Sequence, residues 1–455
     1  MALPGVTVTV QDGNLGIAPE SGGRTSVTFG ICSKGTVGTL YSFSDLNSIT
    51  SSLGYGPLAE AVALKLAVGG GLQYAMPITA LLDGAASAVT KTGGGAGTIT
   101  ISFAPIETIT VVCTTAGANG TAKFTFQLGS GTVSAPVTSV AGATWAYTVA
   151  GTLTKLTFTE GTGFDATDAW TLSNIGVLTQ TVNPGPGSGS LAHTSSQPLD
   201  YYSGRVEITT TGAAGAGEFR WTLDYYTDDP GNDISTWSSS ILIPSGLKYA
   251  IPNSGIYVTF SAGSFSDNDT HSFTTVPSGF NTTAITTGFT NLFAVSGASW
   301  SLGHVAGWAA SAANSATAGS TVGTNTATAV TTHFRFSRWF IDCPTSGSVI
   351  LSGGVAATSA ETDATVATGF AATDDARLAV GAGDYRGASP ISGRLYRRNA
   401  AWIAAARACK EPIGRNISRV RSGSLGAFVP YLYRNEAPAS PSLAVNRFVT
   451  LRTFQ

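Results

Sequence analysis

At 455 residues the chain is longer than one hydrophobic core ordinarily supports, so about two to four domains are expected. Its 56 glycines and a charged fraction of only 11%, about half the usual share, suit a turn-rich β protein or an assembly subunit whose interfaces strip few charges of water. The net charge of −2 gives no overall bias toward nucleic acid, and four scattered cysteines without a CxxC pair argue against a disulfide framework or zinc site and for buried free thiols.

The N-terminus, Met1-Ala-Leu-Pro-Gly5, lacks the basic region and apolar run of a secretory signal. Val6, Val8 and Val10 alternate strictly with threonines, which predicts a strand between turn signals at Pro4-Gly5 and Asp12-Gly13. A short terminal strand needs a partner sheet to satisfy its backbone. Residues 26–31 read as a second strand. Pro57 opens a helix with Leu58, Ala61, Val62, Lys65 and Leu66 at helical spacing, and Gly69-Gly70-Gly71 stops it. Residues 74–78 read as a strand again. This β-β-α-β start indicates an α/β layer, and residues 1–84 are assigned to the N-terminal part of a core domain, arm included. The longest apolar stretch, 59–72, is broken by Lys65 and the glycines, so no membrane insertion is expected.

From Ala85 the texture changes. Residues 92–97 read as a glycine hinge, strands are expected at 99–103, 109–113, 123–128, 153–158 and 169–172, and 184–190 reads as a linker. Two motifs occur twice. Gly120-Thr-Ala-Lys-Phe124-Thr-Phe126-Gln-Leu128 is matched by Gly215-Ala-Gly-Glu-Phe219-Arg-Trp221-Thr-Leu223. Leu156-Thr-Phe158 through Phe164-Asp165 is matched by Val258-Thr-Phe260 through Phe265-Ser-Asp267. Alternate aromatic positions in both copies suit inward residues of β-sandwiches. Two inserted all-β sandwich-like modules are assigned, the first at 85–198 and the second at 199–283.

Residues 284–455 are assigned to the C-terminal part of the core, which gives an α+β core built from both chain ends. Helical texture is read at 300–313 and 361–370, strands at 334–341, 349–351 and 376–380, and the clearest helix at 393–410. The chain closes on an alternating strand that carries Phe448, Thr450 and Arg452. Residues 1–329 hold 9 basic and 18 acidic side chains, whereas 330–455 hold 15 basic and 8 acidic, 14 of the 15 being arginine. That division suits head-to-tail association of copies. Arg394, Arg397, Arg398 and Arg407 are the candidate charge contacts, since the arginine fork binds carboxylates bidentately. Nucleic-acid binding is the weaker reading, because no basic run alternates with aromatics.

Catalytic patterns are missing from the sequence. None of His193, His271, His304 and His333 lies in HExxH or beside a nucleophile motif, and the glycine-rich segments lack the phosphate-loop and dinucleotide fingerprints. Asp165 and Asp168, with Asp267 and Asp269, could ligate calcium, but aspartates capping turns are the favoured reading. No enzymatic activity, cofactor or metal is expected.

The ends of the chain then become recognisable. Pro4-Gly5-Val6-Thr-Val8, Asp375-Ala-Arg377-Leu-Ala-Val380-Gly-Ala-Gly383, Ser389-Pro390-Ile391-Ser-Gly393-Arg394, Ala400-Ala-Trp402-Ile403 through Arg407, Tyr433-Arg434-Asn435-Glu436-Ala437 and Ala444-Val445-Asn446-Arg447-Phe448-Val449-Thr450-Leu451-Arg452-Thr453 resemble segments of the tail sheath proteins of contractile bacteriophages. The resemblance covers roughly 1–80 and 330–455 and leaves out the modules between. It implies a subunit that stacks as a homo-oligomer, in helical rings around a tail tube protein, between baseplate and tail terminator proteins. It implies no direct nucleic-acid contact, a place in the virion tail after assembly in the host cytoplasm, and inserts that point outward. Terminal arms that add strands to neighbouring subunits would involve Val6, Val8 and Val10 at one end and Phe448, Thr450 and Arg452 at the other. Related sheaths usually continue with more helix and an arm, so a stop at Gln455 implies a shorter subunit or a trimmed chain. A tail fibre or adhesin is the alternative, favoured by the repeated Thr/Gly-rich modules; a polysaccharide-degrading enzyme using Asp165 or Asp267 ranks third.

Overall fold

A computed structural model describes residues 24–182, 190–225, 235–307, 312–342, 349–352, 355–360, 377–382, 384–410, 429–430 and 449–450. Val6, Val8, Val10, Phe448, Arg452, Cys343, the 184–189 part of the expected linker and the expected helix at 361–370 lie outside these residues. The N-terminal part supplies β1 (Ser26–Gly30), β2 (Tyr41–Phe43), α1 (Asn47–Leu53), α2 (Pro57–Gly69) and β3 (Gln73–Pro77). Pro57 occupies the first turn of α2, and Gly70 ends the helix with its N–H on Leu66 O at a φ of 64°. Residues 57–65 of α2 are all buried, so it is an interior helix covered on every side.

The chain then enters the inserts through β4 (Ala85–Ala86), β5 (Thr90–Thr92) and β6 (Ile99–Phe103). A continuous block follows: β7 (Ile109–Thr115), β8 (Lys123–Leu128), β9 (Val137–Thr138), β10 (Thr144–Thr148), β11 (Lys155–Thr159), β12 (Ala169–Leu172), β13 (Leu178–Val182) and β14 (Ser190–Ser195). It forms one sheet in the order β13-β12-β7-β8-β9 and another in the order β10-β11-β14. Phe124 joins the two sheets, with ring centroids 4.5 Å from Phe158 and 5.0 Å from Phe164.

Next come β15 (Ser203–Thr210), β16 (Glu218–Thr222), β17 (Ile241–Leu242), β18 (Lys248–Ile251), β19 (Ile256–Phe260) and β20 (Thr270–Val276). The pattern repeats: β17-β16-β15-β20-β4 make one sheet, with β5 also on β20, and β18-β19-β6 make the other. Phe219 and Phe260, the partners of Phe124 and Phe158 in the sequence repeat, lie 4.8 Å apart. The expected first module, 85–198, therefore does not coincide with the pairing at its start, whereas the division at 198/199 falls between β14 and β15. β6 runs antiparallel to β19, and β4 and β5 to β20, so 85–103 belong to the second unit and the 109–195 block is nested inside it. The 92–97 hinge is corrected too, since Gly95 N donates to Asp269 Oδ1 at 3.1 Å within that unit.

The C-terminal part adds α3 (Thr282–Ala294), β21 (Leu302–Val305), α4 (Ala312–His333), β22 (Arg338–Asp342), the hairpin β23 (Val349–Ser352) and β24 (Val355–Ala360), then β25 (Leu378–Ala382), β26 (Asp384–Ala388), β27 (Leu395–Asn399), α5 (Ala400–Lys410), β28 (Val429–Pro430) and β29 (Val449–Thr450). Both ends of the chain meet in one sheet, β2-β3-β1-β21-β22-β25-β29, parallel at every pair except β2 with β3. Successive residues face opposite sides. Val27, Phe29, Trp339 and Ile341 join Phe289 on the α3/α4 side, while Leu302 and Phe340 pack with Ala401 and Ala405 on the α2/α5 side. A Cβ on Gly303 would sit 2.1 Å from the Trp339 indole, so that close approach requires glycine. A parallel sheet with helices on both faces is α/β, as the β-β-α-β start indicates, and differs from the α+β class expected for the core as a whole. The helix expected over 393–410 begins only at Ala400; Leu395–Asn399 is a strand paired with β26.

Candidate functional site

Open parallel sheets usually take ligands just past the carboxyl ends of their strands, where connections diverge to opposite faces. Here β1 leads to α2 on one face and β21 to α4 on the other. Residues 197–201, which join the nested block to the surrounding unit, cover that position. Leu199 O lies 3.1 Å, and Ile31 O 3.2 Å, from the place a Cβ on Gly56 would occupy; with its φ of 118°, Gly56 is the residue that lets the segment approach.

Asp200 anchors the segment. Arg398 Nη1 and Nη2 donate to Asp200 Oδ1 and Oδ2 at 2.7 and 2.6 Å, with the side chains only 5% and 1% exposed. The guanidinium also lies 4.2 Å from the Tyr396 ring and 4.7 Å from the Trp402 ring. Burial opposes the Arg398 charge, but the Asp200 carboxylate outweighs it and holds the guanidinium protonated. Glu60 of α2 lies in the same electrostatic environment and accepts from Ser389 Oγ at 2.7 Å. Burial, only partly offset by Arg398, pushes Glu60 up to about 7. One cluster thus ties α2 from the N-terminal part, β27 and the 389 turn from the C-terminal part, and the insert segment at Asp200.

A second cluster lies at the carboxyl end of β22. Asp342 Oδ1 pairs with His304 Nε2 at 3.0 Å, and Oδ2 accepts from Gly307 N at 2.8 Å and Trp402 Nε1 at 2.6 Å. Burial and then nearby Lys65 lower the His304 pKa, against the pull of Asp342. Lys65 donates to Thr28 Oγ1 at 2.6 Å, and burial brings it down to about 8. His304, Lys65 and Asp342 are all buried. These groups pin strands to helices; they present no nucleophile to solvent.

The expected charge contacts divide accordingly. Arg398 is turned inward to Asp200 of its own chain, and Arg407 is buried in α5. Arg397 lies in β27 opposite Arg386. Arg394 is partly buried, its guanidinium 5.1 Å from the Trp221 ring. Leu395 N donates to Asp224 Oδ2 at 3.0 Å, so β27 meets the second insert unit instead of forming a helical arginine face. Thr450 pairs with Ala382 at the sheet edge. Sequence reasoning missed Asp200, Glu60 and Asp342; unbroken burial around Glu60 and Lys65 in an apolar helix was the available signal. Asp168 and Asp269 cap turns, accepting from Asp165 N at 2.9 Å and Ser266 N at 3.0 Å. Among the described residues no group of three or more His, Cys, Asp or Glu side chains is placed to hold a metal.

A family model described as DUF2586, N-terminal domain, matches residues 3–455. No curated protein matches. Two solved structures align with the chain: a sheath tail protein from Desulfitobacterium hafniense at 10% identity and TM-score 0.29, covering 89% of this chain, and a sheath tail protein from Listeria innocua at 7% and 0.24, covering 71%. The chain spans 61% and 48% of their lengths. Both scores lie below the level at which a common fold follows.

Proposed function

The chain belongs to the DUF2586 family, and we propose that it is a structural subunit of a contractile phage tail sheath. It polymerises as helical rings around the tail tube, held between baseplate and terminator proteins, and contracts to drive the tube through the host envelope. Assembly takes place in the host cytoplasm and the product is part of the virion tail.

The observation that carries the reading is the division of the chain. Strands from residues 26–77 and strands from residues 302–450 share one sheet, and the chain leaves it for the β units between and then returns. The segments that resemble sheath proteins lie at the two ends that build this core. A sheet that both chain ends complete gives a repeating unit for a lattice, and the β units then decorate it. The Asp200–Arg398 and Asp224–Leu395 links would let the surrounding unit move rigidly with the core as rings rotate. Contraction would draw on the difference in buried surface between two packings, with no nucleotide required.

Negative-stain microscopy of the overexpressed full chain tests the proposal. Hollow tubes of uniform width are the expected result. A chain that remains monomeric across salt, pH and concentration, or that forms slender fibres without a lumen, overturns it.

A further inference from the structure

The core carries an exposed aromatic knob at one end and an apolar socket at the other. Phe334 and Phe336 lie between α4 and β22, at the amino ends of the parallel strands, and are 81% and 73% exposed. Two exposed phenylalanines two residues apart present apolar surface that a lone globule gains nothing by presenting. The segment is held in place. Phe334 takes a left-handed φ of 52°, costly for a bulky residue. Arg335 between the rings is fixed by its N–H on Ala329 O at 3.0 Å, by its guanidinium on Ala298 O, and by stacking 4.5 Å from the Trp300 ring. The preceding His333 stacks on Phe293 at 4.5 Å.

The socket lies past the carboxyl ends of β1 and β3. Ile31, Val37, Pro77, Ile78, Val149 and Leu153 line a cavity of about 240 Å³ with no charged side chain in its wall. That volume is of the order of one aromatic side chain. Val149 and Leu153 come from the turn between β10 and β11, so core and nested block build it together.

We propose that the Phe334/Phe336 knob of one copy seats in this socket of the next. Opposite ends of a parallel sheet cannot meet within one molecule, so the contact is heterologous and head-to-tail, the kind that builds rings or open stacks. A second copy is the occupant because the matching apolar partner is present on this same chain. The inference rests on the sheath reading and deepens it by naming a contact between copies.

The test places the photo-crosslinker p-benzoylphenylalanine at Phe336 of the full chain and maps cross-links by mass spectrometry. Cross-links to residues 31–37, 77–82 or 148–153 of another copy are expected. The double variant F334S/F336S should weaken self-association in sedimentation velocity at least tenfold while keeping its melting temperature. If tubes form but cross-links land elsewhere, on another protein or on a lipid vesicle added to the mixture, or if the double variant assembles like the parent, this contact is wrong and the sheath reading stands. If no tubes form yet socket cross-links join two copies, the contact holds and the sheath reading falls. A chain that neither cross-links between copies nor self-associates overturns both.

Discussion

The two β units share a strand plan and differ in how the chain threads them. In the nested block the closing strands β13 and β14 follow the rest; in the surrounding unit their counterparts β5 and β6 come first, with the whole nested block in between. Local detail is kept through this rearrangement. Cys113 N bonds Asp168 O as Ile208 N bonds Asp269 O, and the Gly117–Phe164 bridge matches Gly212–Phe265. Ser134 Oγ and Ser238 Oγ each accept from a strand amide, of Phe126 and Trp221. The cores differ in one respect. The nested core contains only residues of its own block, whereas the surrounding core also contains Tyr396 of the C-terminal part. Strand plan and sharing of the hydrophobic core are thus separable: the same two-sheet plan keeps its core to itself in one setting and shares it with Tyr396 of the C-terminal part in the other.

The largest expected effect tests that difference. Residues 105–196 expressed alone should melt cooperatively with dispersed amide resonances, whereas 199–279 alone should stay unfolded, since it lacks β4, β5 and β6. Equal folding of both fragments would remove the distinction. Next comes the joint to the core. Arg398→Met leaves Asp200 buried and unpaired and should cost about 3–5 kcal/mol in denaturant titrations, with much of the loss restored by adding Asp200→Leu. Arg220→Met, at the more exposed pair with Glu207 (side chain 39% exposed), should cost less than about 1 kcal/mol. Similar losses at the two arginines would show that the joint is no tighter than a surface pair. The smallest effect is pH-dependent. Glu60 is raised to about 7 in the folded chain, so its contribution is full below the unfolded value near 4.5 and is lost as pH rises through about 7. Glu60→Gln should therefore be more stable than the parent at pH 8, by roughly 2–4 kcal/mol, with the gap closing toward pH 4.5. Melting curves that stay parallel across this range would place Glu60 outside the joint's energetics.

Much of this was legible in the sequence. Alternating β-branched and aromatic residues mark β6, β8 and β12, Pro57 and Gly70 bracket α2, and the matched phenylalanines disclose the repeat. What failed was long-range. Nothing local ties Ile99 to Phe260 or Asp200 to Arg398, 198 residues apart. Leu395–Asn399 runs into α5 without a glycine or proline, and over five residues a strand's alternation and a helix's period cannot be told apart. Pairing with β26 decides it. The α+β assignment failed for a related reason: whether strands run parallel depends on where the connections return, and here one connection is longer than many whole domains.

The nesting also has a consequence during synthesis. β1 pairs with β3 early, but its other neighbour, β21, leaves the ribosome some two hundred residues later. At about 5–20 residues per second that delay is roughly 10–40 seconds. The innermost sandwich is complete first, the unit around it second and the outer sheet last. For that interval the nascent chain displays an open edge and unburied valine and phenylalanine on β1, which makes the half-made protein, more than the finished one, the species that needs a chaperone.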